Sequence, residues 1–150
     1  MTGMVSKPDP YSSGVLELAA DIPHLGRLAE PEGSAHRVSR ICGSELSVDV
    51  RMQDGRIAAL GLQVSACALG QASASVFARA AIGAGRDEIC QARDGLRAML
   101  KEGAPPPVGR FVGLAALEGA RDYPMRHGSV LLAFEAGLAA LDQASVAKAR

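Results

Sequence analysis

Between residues 44 and 65, apolar and polar positions alternate in two runs separated by a turn. In the first run Leu46, Val48, Val50 and Met52 alternate with Ser47, Asp49, Arg51 and Gln53. In the second, Ala58, Leu60, Leu62 and Val64 alternate with Ala59, Gly61, Gln63 and Ser65. A period of two marks strands with one buried face, and Asp54-Gly55 between them is a hairpin signal. A two-residue turn there pairs Val48 with Gly61 and sets the two apolar rows on opposite faces, which a one-residue slip repairs. A three-residue loop Gln53-Asp54-Gly55, with Gly55 left-handed in a bulge, is therefore expected. It pairs Leu46 with Leu62 and Val48 with Leu60. Continued outward, that ladder sets Cys42 opposite Ala66 and Ile41 opposite Cys67, so that two cysteines 25 positions apart become neighbours at one end of a sheet. Diagonal neighbours lie about 7–8 Å apart at Cα, within reach of a shared ion after small adjustments.

Elsewhere the period becomes helical. Val15, Leu16, Leu18 and Ala19 predict a short helix over Tyr11 to Ala20, capped by Ser12 or Ser13 and stopped near Pro23. Residues 27–34 read as loop, and His36 to Ile41 as an edge strand that tolerates Arg37 and Arg40. After Cys67, Leu69, Ala72, Ser73, Val76, Phe77 and Ala80 recur at helical spacing to Ile82, and Gly83 and Gly85 end that helix. Asp87 is the expected cap of the next, whose apolar stripe is Ile89, Ala92, Leu96, Met99 and Leu100. Pro105 to Pro107 rule out helix. Phe111 to Leu117 is a short helical segment, and a last helix starting near Arg126–Ser129 carries a stripe of Leu131, Phe134, Leu138 and Leu141. Residues 1–10 and 142–150 are expected to be flexible. The sum is one α+β domain over 1–150: a small antiparallel β-sheet of about three strands with four to five helices packed on it.

At 150 residues the chain is long enough for a real core. Sixteen basic and sixteen acidic residues, interspersed, cancel to zero net charge, which argues against nucleic acid and anionic membranes as partners. No apolar run approaches the roughly 18–20 residues of a membrane span, and the amino terminus lacks a signal-peptide core. Three cysteines, an odd number, point to reduced thiols and a cytoplasmic location. With aromatics at 3%, the core must be aliphatic and rich in alanine.

Cys42 and Cys67 are the strongest chemical signal. Free cysteines are often buried apolar fillers, but these two sit at strand ends, and Cys67 precedes a helix whose amino terminus favours the thiolate that binds metal. Cys90 falls one position off an apolar stripe and reads as a structural or half-exposed thiol. His24 and His36 lack ligand partners at telling spacing and read as solvated. Cys67 with His127 is the one combination open to nucleophilic catalysis by a thiolate–imidazole pair. There is no phosphate-binding loop, dinucleotide fingerprint or HExxH.

The stretch from Cys42 to Ser75 resembles the core of the iron–sulfur cluster assembly scaffold family of the NifU amino-terminal, IscU and SufU type. The likeness rests on Cys42-Gly43-Ser44 before the hairpin, the Asp54-Gly55 turn, and SACALGQASAS from Ser65 to Ser75. YSSGVLEL…IPHLG, from Tyr11 to Gly26, resembles the family's opening. The resemblance implies a non-enzymatic scaffold that binds iron, zinc or a labile iron–sulfur cluster through Cys42 and Cys67. It also implies a cysteine desulfurase and acceptor apoproteins as partners. The family's aspartate two residues after the first cysteine is replaced here by Ser44. Its third cysteine corresponds to Ser129 if the apolar helix pattern is matched, or to Gly128, with His127 as the preceding histidine, if the histidine is matched. Either way the third thiolate is absent, as is the family's LPPVK-type chaperone-recognition tract. Clusters are held mainly by thiolates, sometimes with histidine, so Cys42, Cys67 and His127 are the remaining ligand candidates. A closed zinc site would need a further donor. Two alternatives stand beside this reading: a SufU-like sulfur acceptor carrying a persulfide, and a metal-free interaction module.

Overall fold

The computed structural model describes residues 11–148, so the expected flexibility of residues 1–10 lies outside it. Three strands, β1 (Gly33–Ser39), β2 (Ser44–Gln53) and β3 (Arg56–Ser65), form one antiparallel sheet in the order β1-β2-β3. Around them come α1 (Ser13–Ala20), α2 (Ala68–Ala81), α3 (Arg86–Glu102), a 3-10 helix Val112–Asp122, a 3-10 turn Pro124–Arg126 and α4 (His127–Lys148). This is the expected α+β class.

From Leu46 to Val50 and from Leu60 to Leu62 the hairpin keeps the expected side-chain faces by a different route, while nearer the turn Ile57 is buried and Ala58, expected in the inward row, is exposed. Val48 pairs with Leu62 and Val50 with Leu60, two positions away from the expected register. Asp54 (φ 53°) and Gly55 (φ 75°) form a tight two-residue turn closed by Gln53 and Arg56. Left-handed residues in such a turn match the twist of the strands. The phase is then restored higher up, where Ala58 is left unpaired between Ile57–Met52 and Ala59–Arg51. Leu46, Val48, Val50, Leu60 and Leu62 consequently face the helices and are buried.

Helices cover that face, α4 against β1 and β2, and α2 against β3. β1 meets α4 at close range: a Cβ on Gly33 would lie 2.0 Å from the Ala140 carbonyl oxygen. The expected single stripe on α4 is too narrow. Val130, Leu131, Leu132, Ala133, Phe134, Ala136, Leu138, Ala140, Leu141 and Ala144 are all buried, because sheet, α2 and α3 surround the helix. The helix α4 runs on past residue 142 to Lys148, and residues 149–150 lie outside the described residues. Pro124–Val146 is long and apolar enough to cross a membrane, contrary to expectation, but 67% of its most apolar window is buried as a core helix here. All three phenylalanines gather beside it, Phe134 meeting Phe77 and Phe111 edge-on at 5.2 and 5.3 Å. At α3 the cap is Gly85, whose N–H is accepted by the Glu88 carboxylate at 3.2 Å, and Asp87 sits inside the first turn.

The opposite face of the sheet is crossed by residues 24–32. Gly26 N–H donates to the Leu62 carbonyl and Glu32 N–H to that of Val50. Between these points Asp49, 2% exposed, holds the segment down. Its carboxylate accepts from Arg27 Nε at 2.6 Å, from Leu28 N at 3.1 Å and from Ser34 Oγ at 2.6 Å. Burial disfavours the Asp49 charge, but the bonds from Arg27, Ser34 and Leu28 outweigh it and hold its pKa below the usual carboxylate value. Asp49→Ala strands these donors and should destabilise the fold by about 2–4 kcal/mol in urea unfolding. Because the folded pKa is depressed, Asp49 contributes fully above about pH 4 and loses its contribution as pH falls through the folded value. Asp49→Asn should therefore flatten the acid limb of stability measured from pH 6 downward.

Candidate functional site

The hairpin of β1 and β2 ends on the pair Ser39–Ser44, both on the helix-facing side of the sheet. Beyond it the chain reverses through Arg40–Gly43, with Gly43 left-handed at φ 70°. Cys42 thus occupies a turn rather than a strand end, which corrects the expected pairing with Ala66. β1 begins earlier than expected and stops at Ser39, since the tight reversal takes up Arg40 to Gly43. Cys67 is the N-cap of α2 rather than a strand partner of Ile41.

The two thiols nevertheless converge on one place. Cys42 Sγ lies 3.2 Å from Ser39 Oγ and 3.8 Å from Ser44 Oγ. Ser44 Oγ lies 2.9 Å from Ser129 Oγ, and Ser129 Oγ 3.4 Å from Cys67 Sγ. A continuous line of polar atoms, Cys42–Ser44–Ser129–Cys67, therefore joins the β1–β2 turn to the first turns of α2 and α4. Both thiols are half-buried. Ser44 and Ser129, at 2% and 1% exposure, lie beneath them rather than along an open cleft.

Close packing makes this line possible. A Cβ on Gly70, in the first turn of α2, would fall 2.3 Å from Ser129 Oγ, so the hydroxyl occupies room that α2 leaves free. A Cβ on Gly128 would lie 2.7 Å from Ser39 Oγ. Both positions open to correspondence with the family's third cysteine thus face this corner, Ser129 between the thiols and Gly128 toward Ser39.

The surroundings favour thiolates. Burial disfavours charge on Cys42, but the hydroxyls of Ser39, Ser44 and Ser129 and the Ser44 N–H outweigh it and lower the pKa. At Cys67 burial is likewise outweighed by Ser129, by the Gly70 and Leu69 N–H groups at the start of α2, and by the charge of Arg126. Free N–H groups at a helix start lower a thiol pKa in this way.

His127 is buried, and its Nε2 donates toward the carbonyl oxygens of Ala120 and Arg121 at 3.0 and 3.2 Å. Its Nδ1 has no hydrogen-bond partner among the described residues. It shows no hydrogen bond to Cys67, so the thiolate–imidazole pair is not assembled. Among the described residues no three His, Cys, Asp or Glu side chains form a group able to hold a metal ion. The donor set that the fold brings together is two thiols among serine hydroxyls. His24 and His36 are exposed, as expected, with His36 Nδ1 2.8 Å from Ser47 Oγ. Cys90 is half-buried beside Arg93 and Asp94, at 3.6 and 3.9 Å, and is not among the groups touching the Cys42–Cys67 line. Ser39 and Gly70 escaped the sequence reading. Closing the β1–β2 hairpin with a four-residue turn would have placed Ser39 opposite Ser44.

The fold matches solved structures. A nitrogen-fixing NifU-like protein (N-terminal) from Brucella abortus superposes with a TM-score of 0.88 and 44% identity, over 91% of this chain and 94% of that one. A candidate iron–sulfur cluster assembly scaffold protein for the SUF system from Fervidobacterium islandicum AW-1 shares the fold. Its TM-score is 0.77 at 20% identity, over 88% of this chain and 96% of that one. No family model and no curated protein matches the chain.

With both pKa values lowered, alkylation of Cys42 and Cys67 should reach half its maximal rate at a lower pH in the folded protein than in the urea-unfolded chain. Peptide mapping of iodoacetamide labelling across pH checks this, and midpoints at or above those of the unfolded chain would contradict the hydroxyl contacts.

Proposed function

Because the chain belongs to the family of NifU-like amino-terminal proteins, we propose that it serves as an iron–sulfur cluster assembly scaffold, taking iron, zinc or a labile cluster as cargo on Cys42 and Cys67. The observation that carries this reading is the line Cys42–Ser44–Ser129–Cys67, which draws thiols from two distant elements into one corner. Soft thiolate donors suit iron–sulfur clusters and zinc. Two thiolates are fewer than the four donors of a closed site, so the cargo is held incompletely by this chain and is readily passed on. That suits a carrier better than a resident cofactor site. His127, two residues before Ser129, has a buried Nδ1 with no hydrogen-bond partner among the described residues and is the further donor proposed with them. The partners proposed with this role are a cysteine desulfurase as sulfur source and acceptor apoproteins as recipients, in the cytoplasm.

A second reading is supported by the placement of Cys42 in a half-exposed turn with its thiolate favoured. That is what a sulfur acceptor needs in order to attack a desulfurase persulfide. A mass gain of one sulfur on Cys42 that depends on the desulfurase would identify this role.

Anaerobic purification followed by iron, zinc and sulfide analysis tests the main reading. Metal should be retained by the parent, lost from Cys42→Ala and Cys67→Ala, and kept by Cys90→Ala. Loss from Cys90→Ala equal to that from Cys67→Ala would show that the wrong pair had been chosen. Restoring family-type donors, as Ser44→Asp with Ser129→Cys, should raise the iron retained after reconstitution, read by iron counting and visible absorption. Those two atoms already lie in contact beneath the thiols, so no gain would remove the ligand-loss account.

A further inference from the structure

Buried serines around α2, α4 and the sheet end satisfy their hydroxyls in two ways. Ser73 donates to the Val130 carbonyl and Ser75 to that of Asp21. Backbone acceptors of this kind are the usual partners of buried hydroxyls. Ser44 and Ser129 instead meet each other and the two thiols. A buried hydroxyl is costly without a partner, so the position of Ser129 is tied to the thiols as theirs is to it.

Resting on the reading of Cys42 and Cys67 as one site, we propose that Ser129 is a positioning residue, seated in the space left by Gly70, that holds the two thiols at the spacing of a shared cargo. Three observations carry this role. Cys42 lies in a turn and Cys67 caps a helix, so neither element fixes the other. Ser129 lies on α4, the element packed against both the sheet and α2, and thus has a fixed relation to each cysteine-bearing part. Its hydroxyl reaches between them only because residue 70 has no side chain, a Cβ there falling 2.3 Å from Ser129 Oγ. Ser129 therefore acts through the cysteines rather than as a donor to the cargo. A protonated hydroxyl is a poor substitute for a thiolate toward a soft ion, yet it is well suited to orient one.

Phenylarsine oxide gauges this geometry without iron, because its arsenic forms two As–S bonds to a pair of nearby thiols and releases its oxygen as water with the two thiol protons. Uptake is titrated by intact mass, and peptide mapping after alkylation identifies the protected thiols. The parent should take up one equivalent, with Cys42 and Cys67 protected and Cys90 free. Ser129→Ala should weaken uptake about tenfold or more, the cost of ordering two side chains on binding that the parent holds in place beforehand. Gly70→Ala should do the same by displacing the hydroxyl while keeping it, and it carries the test should Ser129→Ala not fold. Ser73→Ala is the structural control. It removes an equally buried hydroxyl from the same interface, so it should lower thermal stability yet leave uptake unchanged. Equal uptake by the parent and Ser129→Ala would overturn the positioning role, as would a loss in Ser73→Ala matching that in Ser129→Ala. Failure of the parent to protect both thiols would instead overturn the shared site itself.

Discussion

The arrangement depends on how closely α4 approaches the sheet. Small residues at the contact, with Gly33 against the backbone of Ala140, bring the helix to backbone range of β1, while Leu46, Val48 and Val50 of β2 fill the layer beside it. Packing at this range leaves little freedom to slide, because each displacement meets backbone atoms rather than flexible side chains. The amino-terminal turn of α4 is thereby fixed against the last rung of the β1–β2 hairpin, and Ser129 against Ser44. The thiol corner follows from a helix position set many residues away.

Much of this was legible in the sequence. Away from the bulge, alternation from Leu46 to Val64 specified which side chains face the helices, since a slip by one would turn Asp49 and Arg51 toward them instead. The exact register was less legible. A tight turn followed by a bulge, and a wider turn with the bulge inside it, bury the same face and differ only in where the extra residue sits. Small Ala58 and Ala59, where the bulge falls, are the one local trace of the choice. The α4 stripe was underestimated because alanine weighs little in an apolar pattern. Ala133, Ala136, Ala140 and Ala144 are buried all the same, as contacts to neighbouring backbones require small side chains.

For the site, the cysteine pair was legible and its surroundings were not. Placement of Cys42 and Cys67 at one end of the sheet needed only strand parity and a helix start. The serines between them came from three elements, and Ser129 reached them through a tertiary contact with no local signature. Ser44 and Ser129 were singled out through correspondence with the NifU-like family, as places where ligands were lost. Their hydrogen bonds give them a task of their own. Asp49 shows the same limit. In sequence it is one polar residue in an alternating strand, whereas in the fold it is buried beneath a loop that covers the far side of the sheet.

That covering loop has a consequence for how the sheet meets other chains. An uncovered strand edge is a template for further strands, and proteins that leave one open risk growing by strand addition. Here Leu62 on β3 is paired by His24 and Gly26, and Ile57 by Gly83 and Ala84. On β1 the Ser34 N–H is taken by the side chain of Gln143. The margin of β3 is thus paired at two points, and that of β1 is met at Ser34, by segments of the same molecule. Loosening residues 24–28 from Asp49 would do more than expose the polar face beneath them, since it would bare the backbone of β3 at Leu62 and leave a margin able to take a further strand.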